Sequence, residues 1–324
     1  MTQPISIIIV NYYSESLIER ILHELPCEEF EYIIVDNSNS FKLSKLGPNC
    51  KLINPDTNLG FAAAVNQGVE YASRDFILMM NPDVEISYNT ILGLLERARS
   101  IPNLGCIAPA LIEDKHRGPF VNGGKLPTIW PTFCHYFFLS RLSRYFKCLS
   151  GTYALKTKRR GEHLTKVEWT SGALLMMNLS LFRLLEGFTN DWFMYSEDQE
   201  ICLRIGKLGK SIWIDQNLSG RHIGQASDTR FQSESLGKKT NFGTLWLENL
   251  SDFHFRYLVS KSKRKHLGWC FTICFGFLLR ALIEAIYNVL RSLLPKNNSK
   301  SRFKEFLKLG LFSAKLGAKL IRMD

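Results

Sequence analysis

Phe76-Ile77-Leu78-Met79-Met80-Asn81-Pro82-Asp83 is the stretch on which the fold turns. Five apolar residues closed by a turn signal predict a buried parallel strand, and its carboxyl end carries Asp83 to the rim of a sheet. Open α/β sheets take their ligands at that rim. A hard divalent cation there needs one or two carboxylate oxygens together with phosphate oxygens from a bound molecule. Asp83 is therefore a candidate metal ligand, although Asn-Pro-Asp taken alone reads more readily as a plain turn.

The surrounding sequence changes that balance. Residues 5–10 form a β-branched run, and Asn11-Tyr12-Tyr13-Ser14 leads into residues 15–25, where Leu17, Ile18, Ile21, Leu22 and Leu25 recur at helical spacing. A second apolar strand, Tyr32-Ile33-Ile34-Val35, ends in Asp36-Asn37-Ser38-Asn39, and a third, Lys51-Leu52-Ile53, ends in Asn54-Pro55-Asp56. Strands alternating with helices predict right-handed βαβ units and a parallel sheet covered on both faces, with Tyr12, Asp36 and Asp83 on one rim. Gly60, in Asn58-Leu59-Gly60-Phe61-Ala62-Ala63-Ala64-Val65-Asn66, opens a helix whose small residues let a ligand approach the backbone. No Gly-x-Gly-x-x-Gly and no Gly-Lys-Ser/Thr occurs, which argues against nicotinamide enzymes and P-loop hydrolases.

Six elements now stand in order: the first strand with Asn11-Tyr12, Val35-Asp36-Asn37-Ser38, Asn58-Leu59-Gly60-Phe61 through Asn66, Asn81-Pro82-Asp83, Trp169-Thr170-Ser171-Gly172-Ala173, and Phe193-Met194-Tyr195-Ser196-Glu197-Asp198. Together they resemble the inverting nucleotide-sugar glycosyltransferases of family 2, with the GT-A fold, in particular their bacterial rhamnosyltransferase-like branch, over roughly residues 5–225. The resemblance implies an α/β fold with a mostly parallel central sheet and helices on both faces. It makes Tyr12 and Asp36 the base-recognition pair and puts Asn58, Gly60 and Asn66 in the nucleoside pocket. Asp83 resembles the last acid of an Asp-x-Asp metal motif whose first acid is here Asn81, leaving fewer charged oxygens for Mg²⁺ or Mn²⁺. Trp169, Gly172 and Ala173 would line the sugar and acceptor pocket. Residues 174–177 read simply as a core strand.

Asp198 resembles the general base that takes the acceptor hydroxyl's proton, and Glu197 a group that orients the acceptor. The same acids suit the first turn of a following helix, and both roles can coexist. The family usually carries an acid two places after this base, where this chain has Gln199-Glu200. His222, after the strand Ser211-Ile212-Trp213-Ile214, matches a family position that reaches back to the diphosphate or metal. The remaining histidines lack ligand spacing and read as core or surface residues.

At 324 residues and 45% apolar composition the chain can build a substantial core. Its eight scattered cysteines include no Cys-x-x-Cys and no secretory leader is recognisable, so reduced thiols are expected. Residues 1–254 read as the catalytic domain, with an aromatic-rich acceptor-side insertion at 117–165. Residues 255–324 hold 15 Lys/Arg against 3 Asp/Glu, which leaves 26 against 27 for the rest, so the net charge of +11 is carboxy-terminal. There an almost wholly apolar run, 267–279, ends at Arg280, short of the ~20 residues a spanning helix needs. Interfacial basic helices on an anionic membrane are expected, with a re-entrant hairpin left open. Nucleic acid is disfavoured, because no recognition module accompanies the charge.

The expected function is transfer of a sugar, L-rhamnose from dTDP-L-rhamnose, to a lipid-linked saccharide in bacterial O-antigen or other surface polysaccharide synthesis, at the cytoplasmic face of the inner membrane. The motifs define the nucleotide diphosphate better than the sugar. A UDP-hexose, a UDP-N-acetylhexosamine or UDP-galactofuranose therefore stays open, as does a catalytically idle membrane partner of an assembly complex.

Overall fold

The computed structural model describes residues 3–26, 28–41, 47, 49–113, 121–154, 163–223, 242–292 and 301–321. Cys27, His116 and parts of the 117–165 segment (117–120 and 155–162) lie outside the described residues. In chain order the elements are β1 (Ile5–Asn11), α1 (Glu15–Glu24), β2 (Glu31–Asp36), β3 (Cys50–Ile53), α2 (Phe61–Glu70), β4 (Phe76–Met80), β5 (Val84–Ile86), α3 (Tyr88–Ser100), β6 (Leu104–Glu113), β7 (Gly123–Gly124), α4 (Ile129–Tyr136), β8 (Leu164–Val167), β9 (Trp169–Thr170), β10 (Leu174–Asn178), α5 (Leu179–Leu184), α6 (Glu197–Lys207), β11 (Ser211–His222), α7 (Phe242–Phe253), α8 (Lys263–Ser292) and α9 (Phe303–Ile321).

Nine strands form one sheet, ordered β3-β2-β1-β4-β10-β6-β11-β5 with β8 on β11. β3, β2, β1 and β4 are mutually parallel, β10 runs against both β4 and β6, β11 is parallel to β6, and β5 and β8 run against β11. Six of the nine strands thus point the same way, as a mostly parallel sheet requires. The continuous apolar runs are explained by burial on both faces: every residue of β2 is buried, as are Ile77, Leu78, Met79 and Met80 of β4. The carboxyl ends of β1, β2 and β4 lie side by side, since Asn11 pairs with Asp36 and Ile8 with Met79.

The chain divides into two compact units, Met1–Gly124 with Lys156–Phe242, and Lys125–Leu155 with Gly243–Asp324. The sheet belongs to the first. The segment read as an acceptor-side insertion is divided, and its Lys125–Leu155 portion joins the carboxy-terminal helices in the second unit.

In the second unit Tyr136, Leu247, Trp269, Cys270, Ile273, Phe277 and Leu309 form a core of their own. His254 and His266 are buried in it, with their Nδ1 atoms 2.9 Å apart and the His254 ring stacked on Trp269. Burial pushes the two imidazoles down, to about 3 and about 4, so they sit there as neutral core residues.

The apolar run that stops at Arg280 in the sequence does not stop in the helix. α8 continues for 30 residues because both interrupting charges find partners on neighbouring segments. Arg280 stacks over Tyr136 (4.5 Å to the ring centroid) and donates to the His135 carbonyl (3.1 Å), while Glu284 accepts from the Arg302 N–H (3.1 Å). Lys263–Leu290, whose most apolar 18-residue window has a mean hydropathy of 1.8, is the one helix among the described residues long and apolar enough by length and composition to cross a membrane.

Candidate active site

Asp198 stands in the first turn of α6, one of three acids there, with the positive end of the helix beside it. Its Oδ2 accepts from the Gly172 N–H (3.2 Å) and its Oδ1 from the Gln199 N–H (2.8 Å). Burial raises the Asp198 carboxyl above the ordinary carboxylate range, and these N–H donors oppose the rise without cancelling it. Glu197 is buried with Oε2 unpartnered. Burial, reinforced by the neighbouring Asp198 charge, lifts its carboxyl further. A carboxyl raised toward neutrality but still ionised is suited to accept a proton.

The backbone that presents these acids is strained: Tyr195 (φ 72°) and Ser196 (φ 76°) are consecutive left-handed residues, neither of them glycine. Just upstream, Phe193 accepts from the Phe61 N–H (2.9 Å), which joins the loop to the start of α2. Gly60 makes that joint possible. At φ 79° and ψ −176° it occupies a region essentially closed to other residues, and a Cβ there would lie 2.3 Å from the Phe193 carbonyl oxygen.

Gly172 and Ala173 form the corner between β9 and β10. A Cβ at 172 would sit 3.5 Å from the Asp198 Cβ and 3.6 Å from the Phe61 ring, so the missing methyl leaves space beside Asp198. The Ala173 carbonyl accepts from the Asn81 N–H (2.9 Å), which ties this corner to the turn carrying Asp83. Trp169 is buried on β9, paired with the Gly123–Gly124 strand.

Asp83 meets His222 across a gap of 139 residues, Oδ1 to Nε2 3.2 Å. The strand pairing explains it. β11 shifts register between Asp215 and Ser219 and runs on to His222, which pairs with Val84, while the Ile223 N–H reaches the Asp83 carbonyl (3.0 Å). One carboxylate oxygen and one imidazole nitrogen suit Mn²⁺ or Mg²⁺ as a partial ligand set. Among the described residues no group of three or more acids, cysteines or histidines could complete it, so a diphosphate would have to supply the remaining oxygens. Arg221 is paired with Glu85 (3.0 Å), away from this set.

The nucleoside-side residues are placed differently. Asp36 is fully buried, and its carboxylate accepts from Asn11 Nδ2 (2.8 Å), the Ser38 N–H (3.0 Å), Ser38 Oγ (2.5 Å) and the Phe41 N–H (2.7 Å). That carboxylate holds the loop after β2 in shape. Tyr12 is part-exposed at the end of β1, edge-on to Tyr13 (4.7 Å). Asn58 accepts from the Gly60 N–H (3.0 Å) and leaves its Nδ2 donor buried and unpartnered, facing no protein acceptor. Asn66 uses both ends of its amide on the Phe188 backbone (2.8 Å each), so it shapes the loop before the base.

Two contributors escaped the sequence reading. Asn37 bridges the β2 loop to α2, donating to the Gly60 carbonyl (3.0 Å) and accepting from the Leu59 N–H (3.3 Å). Glu200, an acid on a longer arm than the family usually carries two places after Asp198, takes Arg204 bidentately (2.8 and 2.9 Å from Nε, 2.6 Å from Nη2), and Arg204 in turn donates to the Leu185 and Gly187 carbonyls. The i, i+4 spacing of Glu200 and Arg204 was the available signal for the second.

An acid in the first turn of α6, a carboxylate–imidazole pair and a glycine-opened helix sit on one mixed sheet, and the fold is GT-A. The chain carries a glycosyl transferase family 2 domain, matched over residues 6–154, and is a glycosyltransferase. It is similar to the N-acetylglucosaminyl-diphospho-decaprenol L-rhamnosyltransferase of Mycobacterium tuberculosis, 26% identical over 227 residues, covering 64% of this chain and 72% of that protein. It is also similar to rhamnosyltransferase WbbL of Escherichia coli K12, 25% identical over 244 residues, covering 71% and 87%. The fold matches that of the mannosyltransferase PcManGT from Pyrobaculum calidifontis, solved with GDP-Man and Mn²⁺: TM-score 0.53, 13% identity, 99% of this chain and 88% of that one.

Proposed function

We propose that this glycosyltransferase inverts the anomeric centre of L-rhamnose as it moves the sugar from dTDP-L-rhamnose to a lipid-linked saccharide. The reading rests on one observation. Asp198 is hydrogen-bonded to Gly172, whose neighbour Ala173 holds Asn81, two residues from the Asp83–His222 pair, so base and cation-binding groups share one corner of the sheet. Asp198 takes the proton of the acceptor hydroxyl, that oxygen bonds to the anomeric carbon from the opposite face, and the bond to the nucleoside diphosphate breaks. Asp83 and His222 would hold a divalent cation against the diphosphate oxygens, supplying compensation for the charge that develops there. Glu197 orients the acceptor, and the buried, unpartnered Nδ2 of Asn58 is a donor that a bound nucleotide would satisfy.

The donor and acceptor are supported by the relatives: both are named for rhamnose transfer, and the mycobacterial one for L-rhamnose and a decaprenyl-diphosphate-linked sugar. A peripheral position on the cytoplasmic leaflet is supported by the second unit. α9 packs on α8 through Gly310 and Gly317, against Cys274 and Cys270, and exposes Lys304, Lys308, Lys315 and Lys319. A spanning α8 would draw those lysines into hydrocarbon at about 2.5–3.5 kcal/mol each, whereas lying at the interface leaves them among anionic headgroups.

The deciding experiment measures transfer and donor binding together. Asp198→Asn should abolish transfer while retaining nucleotide-sugar affinity, and Asp83→Ala should lose Mn²⁺-dependent donor binding. Normal turnover by either variant removes that residue from the chemistry. Among nucleotide sugars with Mg²⁺ or Mn²⁺, dTDP-L-rhamnose should give the largest thermal stabilisation; a larger shift with a UDP-sugar would replace the donor.

A further inference from the structure

The geometry points to a prenyl-diphosphate site within the second unit, deepening the acceptor reading above and resting on it. Between α4 and α8 lies an open groove of about 510 Å³, walled by Phe133, Phe137, Phe271, Phe275, Leu278 and Leu282. Its lining is almost wholly apolar, and Phe271 and Phe275 are more than half exposed. Large exposed aromatic patches of this kind mark binding surfaces rather than chance. The Phe133 and Phe137 rings stack at 4.5 Å, so one wall is a rigid aromatic shelf.

Immediately beyond Phe137 the chemistry changes sign. Phe138 is held left-handed (φ 64°), and two guanidinium groups flank its ring, Arg141 at 5.1 Å and Arg280 at 5.4 Å. Neither has a carboxylate partner among the described residues, and Arg141 is exposed. Two cations without a carboxylate partner, gathered around the ring that follows groove residue Phe137, complement a molecule with a dianionic head and a hydrocarbon tail. A diphosphate on an isoprenoid has that form: exposed Arg141 takes its oxygens, Arg280 adds positive charge from the other side of Phe138 while held by Tyr136 and the His135 carbonyl, and the groove takes the branched chain. An uncharged prenyl alcohol would need the apolar wall alone and would leave the arginine pair unexplained.

The probe is geranylgeranyl diphosphate, titrated calorimetrically into the full-length protein, with geranylgeraniol and inorganic diphosphate as separate arms. Geranylgeranyl diphosphate should bind at least tenfold more tightly than either. Phe275→Ser, at a position already exposed, should weaken it about tenfold. Arg141→Gln should weaken the diphosphate and leave geranylgeraniol unchanged. Val289→Ser removes an equally exposed side chain from α8 outside the groove and should change nothing. Equal binding of geranylgeraniol and its diphosphate, or equal losses from Val289→Ser and Phe275→Ser, would overturn the site in favour of a generally adhesive helix face. Because the readout is binding, loss of the groove in an enzyme that still transfers sugar refutes the groove. Failure of transfer with the groove intact refutes the functional reading instead.

Discussion

Tyr195 and Ser196 hold Asp198, the proposed base, where no relaxed backbone would place it, and their strain measures what that placement costs. A non-glycine residue in the left-handed region costs about 1–2 kcal/mol, so Ser196→Gly should stabilise the chain by about 1 kcal/mol in urea denaturation while lowering kcat as the loop loosens. Gly60→Ala has the opposite sign. Its Cβ would meet the Phe193 carbonyl, and a loss of at least ~2 kcal/mol in the same assay is expected, with weakened donor binding. The acids add a pH dependence. Asp198 must be ionised to work and its carboxyl is raised, so the acidic limb of kcat should lie above the ordinary carboxylate range. Glu197 is raised further, so its folded form prefers the proton. That contribution to stability is complete below the ordinary glutamate value and is lost as pH rises through the folded value. Glu197→Gln should therefore raise Tm over wild type at pH 9, with the difference closing toward pH 5. Asp198 was legible as a residue type after an aromatic run, but its contact with Gly172 was not, because no local pattern encodes a partner 26 residues away.

At the scale of elements, α6 is fastened to the end of α5 by Glu200 and Arg204, and the loop between them by Asn66. Arg204 is a partly buried cation with a buried ion-pair partner and two carbonyl acceptors, so removing it leaves the Glu200 charge and both carbonyls unmet. Breaking such a pair costs about 3–5 kcal/mol. Arg204→Ala should lose that much in denaturant, whereas Arg204→Lys, keeping the charge without the planar fork, should lose less. The same elements show where pattern reading works. β1, β2 and β4 were readable because strands buried on both faces need unbroken apolar runs. α8 was misjudged in length because Arg280 looks like an interruption until Tyr136, 144 residues earlier in the chain, supplies a ring for it.

Across the whole molecule, the carboxy-terminal charge and the sheet rim are the two features that function must combine. Each basic residue near an anionic surface contributes about 1 kcal/mol. Replacing Lys304, Lys308, Lys315 and Lys319 together with glutamine should reduce binding to phosphatidylglycerol vesicles by about 10³-fold at low salt in a sedimentation assay, with a much smaller effect in 1 M salt. Alkaline carbonate should release wild type from membranes, as an interfacial helix pair requires and a spanning helix forbids. The order of strands and helices, the strand ends bearing Asp36 and Asp83, the helix behind Asp198 and the one-sided charge were determined by sequence alone, because each follows from local periodicity, turn chemistry or composition. Tertiary structure decided the rest: His222 beside Asp83, Asp36 consumed by its own loop, Arg280 turned inward, and Lys125–Leu155 grouped with the distant helices. Those depend on strand register and on which buried polar groups find partners, and both are settled only when segments remote in the chain pack together.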